Sequence, residues 1–75
     1  MGTVRVLRPN PAVSDDDLAD ALMRATDLDA DEAFAVVRAV HDCPAQLGGE
    51  RMQEPMLRQI AAVLRNNGFE VVYEA

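Results

Sequence analysis

The chain has no lysine and no tryptophan, and only one histidine, one cysteine and one serine among its 75 residues. Without lysine there is no Schiff-base chemistry and no lysine clamp for a phosphate; every basic residue is arginine. The single cysteine, Cys43, permits no internal disulfide, which fits a reducing compartment. A nucleophile–base pair would have to join His41 to Ser14 or to Cys43, and Cys43 is too close along the chain for an easy productive geometry. There is no Cys/His cluster with zinc spacing and no glycine-rich loop leading into a helix in the phosphate-binding pattern. No run is long or apolar enough to span a membrane, and the N-terminus lacks the charged-then-apolar pattern of a secretion signal. These absences predict a cytoplasmic protein, complete as it stands, that is not an enzyme and uses neither cofactor nor metal.

Aromatic residues are equally scarce: Phe34, Phe69 and Tyr73. The core must come mainly from Val, Leu, Ile, Met and Ala, which together with the other apolar residues make up 49%, enough for a globular domain. A chain this short allows one domain over its whole length, and no deep cleft between lobes. Charge is plentiful but of one sign. The formal net charge is −6, and residues 15–32 hold eight acids against Arg24 alone. A phosphate backbone or an anionic membrane calls for clustered cations, so neither nucleic acid nor a membrane is an expected partner. A basic protein surface is the natural complement.

Thr3 to Leu7 alternates Val4 and Val6 with Thr3, Arg5 and Leu7, which predicts a strand, and Arg8-Pro9-Asn10-Pro11 ends it. Ser14 reads as a helix N-cap followed by Asp15, Asp16 and Asp17, where carboxylates suit the positive end of the helix dipole. Leu18, Ala21, Leu22 and Ala25 then recur at helical spacing, giving a first helix over Asp15 to Thr26. Asp29 with Glu32 three residues on forms a capping box for a second helix, striped by Ala33, Val36, Val37 and Val40 and ending near His41 and Asp42. Ala45 to Leu47 reads as a short strand. A third helix runs from Gln53 to Asn67, with Pro55 in its first turn, a buried face of Met56, Ile60, Val63 and Leu64, and Gly68 as its left-handed cap. Phe69 to Glu74 is a final strand with Phe69, Val71 and Tyr73 on one face. The order β-α-α-β-α-β predicts an α+β domain, a small antiparallel sheet covered on one face by three helices. The run Asp15, Asp16, Asp17 with Asp20 could be taken for a metal site, but successive helical residues point in different directions and read as a solvated acidic face.

Some of these stretches resemble a known family. Thr3-Val4-Arg5-Val6-Leu7 with its Pro/Asn loop, Ala39-Val40-His41 at the end of the second helix, and Glu50-Arg51-Met52 before the third are similar to the Clp protease adaptor family (ClpS-like). That resemblance implies a non-catalytic module that recognises the free α-amino group of a protein N-terminus and hands it to a Clp-type unfoldase. By position, His41 would contact the amino group, Asn10 would offer an acceptor, and Leu18, Val37 and Val40 would line an apolar pocket for the first side chain. Asp15 stands where the family often has an apolar pocket residue. Ala25-Thr26-Asp27-Leu28, Glu32-Ala33 and Asn67-Gly68-Phe69-Glu70-Val71 also resemble the C-terminal domain of the bacterial ribosomal stalk protein, which has the same fold. That second resemblance implies an interaction domain using its first helix, here with an acidic face of Asp16, Asp17 and Asp20. An accessory subunit that adds surface to an enzyme complex is the remaining alternative.

Overall fold

Alternating valines set the central strand of the sheet, β1 (Thr3–Arg8), and the remaining elements follow as α1 (Asp15–Ala25), α2 (Ala30–His41), β2 (Ala45–Gly48), α3 (Glu54–Asn66) and β3 (Glu70–Glu74). The computed structural model describes residues 2–41, 45–48 and 53–74. The expectations placed on Asp42, Cys43 and Glu50-Arg51-Met52 lie outside the described residues. The fold is α+β in the order β-α-α-β-α-β, with a three-stranded antiparallel sheet of order β2-β1-β3.

The period of two along β1 decides which face is covered. Val4 lies opposite Leu47 and Tyr73, and Val6 opposite Ala45 and Val71. Val4, Val6, Leu47 and Val71 are buried. Arg5, between them, lies opposite Gln46 and Val72 on the other face. An irregularity between Val6 and Arg8 shifts the register against β3. Leu7, at that bulge, is 50% exposed.

Local signals set each helix. Ser14 Oγ accepts the Asp17 N–H at 3.2 Å, the N-cap of α1. The capping box of α2 is reciprocal: Asp29 Oδ1 accepts the Glu32 N–H at 2.8 Å, and Glu32 Oε1 accepts the Asp29 N–H at 3.1 Å. Helix α3 carries Pro55 in its first turn and ends at Asn67. The Gly68 N–H donates to the Arg65 carbonyl at 3.0 Å and the Phe69 N–H to the Leu64 carbonyl at 2.9 Å, a Schellman arrangement that needs the left-handed φ of +83° at Gly68. Between α1 and α2, Thr26 works on both sides: its hydroxyl donates to the Leu22 carbonyl at 2.5 Å and accepts the Leu28 N–H at 3.2 Å. Thr26→Val keeps the shape and removes both bonds. It is expected to lower unfolding free energy by about 1–2 kcal/mol in a urea titration, and an unchanged midpoint would show the hydroxyl to be idle.

The apolar stripes close one core. Helix α2 buries Ala33, Val36, Val37 and Val40, as its spacing predicts. Helix α3 buries Leu57 and Ala61 besides Ile60, Val63 and Leu64, while Met56 is only partly buried. In α1 the buried residues are Leu18, Ala19 and Leu22, and the expected Ala25 is exposed. The reason is the neighbour: α1 packs mainly against α2 and α3, while those two helices contact the strands, so its buried side is turned toward helices. No helix of the described residues is long and apolar enough to cross a membrane.

Candidate functional site

The register of the sheet places the candidate residues. Ala45, at the start of β2, pairs with Val6 near the end of β1, so the C-terminus of α2, the N-terminus of α1 and the loop after β1 gather at one end of the sheet. There His41 Nε2 lies 2.5 Å from Asp15 Oδ1, an ion pair when the ring is protonated, between groups 26 residues apart. Each side chain sits at the helix end whose dipole suits it, the carboxylate in the first turn of α1 and the imidazole in the last turn of α2. Both are open to solvent, with side chains 40% and 61% exposed for His41 and Asp15. An exposed pair of this kind adds little to stability, so its groups can be shared with an incoming ligand at low cost.

Asn10 lies at the same end but is committed to the fold. Its Nδ2 donates to the Asn67 carbonyl at 2.9 Å, and its Oδ1 accepts the Ala12 N–H at 3.1 Å. The Val13 N–H also donates to the Asn10 carbonyl at 3.2 Å, closing the turn between β1 and α1. Asn10 therefore ties this loop to the C-terminus of α3, where Asn67 also bonds back through Nδ2 to the Val63 carbonyl.

Leu18, Val37 and Val40 are 1%, 1% and 0% exposed, and all three belong to the single hydrophobic core. They underlie the His41 end and present no surface of their own. Two surface depressions are lined elsewhere, one of about 300 Å³ by Thr3, Gln46, Leu47 and Gly48 and one of about 220 Å³ by Glu54, Pro55 and Arg58.

On the acidic face, Asp16, Asp17 and Asp20 are all exposed. Asp20 pairs with Arg24 one turn on, at 3.0 Å. Asp16 and Asp17 carboxylates have no ion-pair partner among the described residues. No group of three or more His, Cys, Asp or Glu side chains that could hold a metal ion occurs among the described residues. Ser14 is occupied as the N-cap of α1.

Two features carry no signal in the local sequence pattern. Asp15 as the partner of His41 needs the packing of α1 on α2, which spacing along one helix does not reveal. Tyr73 is held under Arg58, whose guanidinium carbon is 5.4 Å from the ring centroid, and its buried hydroxyl has no hydrogen-bond partner among the described residues. A side chain at Gly2 would collide with that hydroxyl, which accounts for glycine there.

No protein-family model matches the chain, and neither the curated proteins nor the solved structures give a match.

Proposed function

We propose that the chain is a non-catalytic protein-binding domain that receives a cationic group of a partner protein, in the first place a free N-terminal amino group, at the His41–Asp15 end. The observation that carries this reading is the exposed carboxylate of Asp15 held against His41. An ammonium needs acceptors, and a charged acceptor gives the stronger hydrogen bond. The resemblance to the Clp adaptor family supplies the histidine, and Asp15 supplies a carboxylate that the Pro9-Asn10-Pro11 loop lacks. Because Leu18, Val37 and Val40 are core, the reading rests on the amino group more than on capture of a bulky first side chain. Delivery to a Clp-type unfoldase belongs to the same proposal.

A second reading has its own observation. Asp16 and Asp17 are exposed on α1 with carboxylates that have no ion-pair partner among the described residues, and a basic partner surface would complement them. In this reading the domain acts as a stalk-like interaction module on a cationic protein.

Fluorescence anisotropy separates the two. A labelled peptide with a free N-terminal Phe should bind, and its N-acetylated copy should not. His41→Ala and Asp15→Asn should each weaken binding by about tenfold or more, the size of a lost charge-assisted bond. Equal binding of both peptides, or of neither, would overturn the amino-group reading. The stalk-like reading predicts instead that Asp16→Lys and Asp20→Lys abolish capture of a basic partner, and that added salt weakens it.

A further inference from the structure

The outer face of the sheet is unlike the rest of the surface. It carries Arg5, Leu7 and Arg8 from β1 and Glu70, Val72 and Glu74 from β3. Leu7 and Val72, 50% and 41% exposed, are the only large exposed hydrophobic residues among the described ones. Two arginines stand beside two glutamates, so the face is neutral in a chain whose net charge is −6. The helical side holds Asp15, Asp16, Asp17, Asp27, Asp29 and Asp31, and two copies meeting there would bring like charges together. The charges on the sheet face are also ordered in rows. Arg5 forms an ion pair with Glu74 at 3.3 Å and Arg8 with Glu70 at 3.6 Å, so a row of cations on β1 runs beside a row of anions on β3.

We propose that this face docks a second copy of the chain. A two-fold axis parallel to the strands, set between β1 and β3, lays the arginine row of each copy over the glutamate row of the other. Every patch then meets its complement, as an isologous interface requires. Leu7 and Val72 lie at the middle of the contact, where they exclude water around the two-membered charge rows. Three strands about 4.8 Å apart and about five residues long give a face on the order of 250 Å², well short of the roughly 800 Å² per partner of a stable complex. The dimer is accordingly weak and forms only at high protein concentration. Its formation leaves the His41–Asp15 end free, so this inference stands or falls apart from the proposed function.

Sedimentation velocity over a wide concentration range tests it, with circular dichroism as the check that each variant is folded. The wild-type chain should move from a monomer of 8.2 kDa toward twice that mass as concentration rises. Val72→Glu should weaken association by about tenfold or more. The paired variants Arg5→Glu/Arg8→Glu and Glu70→Arg/Glu74→Arg should each be monomeric alone and associate when mixed. A chain that stays monomeric at every concentration, or one whose association ignores all of these changes, would overturn the proposal.

Discussion

Ile60→Ala is expected to leave the domain on the edge of unfolding. Ile60 is 0% exposed and lies in the middle of α3, the helix that packs on β1, β3 and α1 at once. Removing a buried Ile side chain costs about 2–5 kcal/mol, the transfer term plus the cavity left behind. A domain of 75 residues has roughly 4–11 kcal/mol in total, taking about 0.05–0.15 kcal/mol per residue. One truncation can therefore consume half of the stability or more. Urea denaturation followed by far-ultraviolet circular dichroism should show a midpoint shifted strongly down with an unchanged slope. A loss of less than about 1 kcal/mol would mean that α3 is not packed as described, because only a site that collapses onto its cavity escapes the penalty. The scarcity of aromatics sharpens the point: the largest fully buried side chains are Leu18, Leu22, Leu57, Ile60 and Leu64, so aliphatic contacts make most of the core, with Phe69 the one aromatic buried in it among the described residues.

The elements that came cleanly out of the sequence are those with local causes. A capping box, a proline in a first turn, a glycine after a last turn and valines at period two are each decided within about six residues, and all of them hold in the structure. Even β2, which ends on Gly48, pairs as a strand because Leu47 has a buried place opposite Val4. What local pattern could not supply is the direction from which each helix is approached. Ala19 rather than Ala25 is buried in α1 because α1 faces other helices, and Leu57 and Ala61 widen the stripe of α3 because it touches two strands and a helix. The bulge at Leu7 is a property of the pairing with β3, invisible in either strand alone.

The candidate site divides along the same line. Only the resemblance marks His41 as a site residue, and its place at the end of α2 follows from helical periodicity. Its neighbour Asp15 has two signals in the sequence, a helix-start charge and, by resemblance, a place where the family often has an apolar pocket residue; nothing within the first helix announces a histidine 26 residues on. Leu18, Val37 and Val40 carry the same apolar signal whether they line a pocket or fill a core, and burial alone distinguishes the two. By resemblance Asn10 is an acceptor for a ligand, while in the structure its amide bonds the Asn67 carbonyl at the end of α3.

That last assignment yields a second large expected effect, at Gly68. The residue has φ +83°, a conformation that costs a residue with a side chain about 1–2 kcal/mol. A Cβ there would also stand 2.5 Å from Asn10 Nδ2, so alanine must push aside the amide that bonds the Asn67 carbonyl. Losing that part-buried bond adds about 1 kcal/mol, and Gly68→Ala should cost about 2–3 kcal/mol in all. Asn10→Ala should cost about 1–2 kcal/mol by itself, and the double variant should cost less than the two together, because the collision disappears with the amide. Asn10→Asp completes the argument. It keeps an acceptor for the Ala12 N–H but turns a carboxylate oxygen toward the Asn67 carbonyl, so it should destabilise the fold. A residue that served only to hold an amino group would behave in the opposite way: aspartate would bind the ammonium more tightly and leave stability unchanged. Urea titration of the wild type and the four variants, with peptide anisotropy on Asn10→Asp, decides between an asparagine that holds the loop in place and one that reads the ligand; additive stabilities across the Asn10 and Gly68 pair would refute the contact on which the first of these rests.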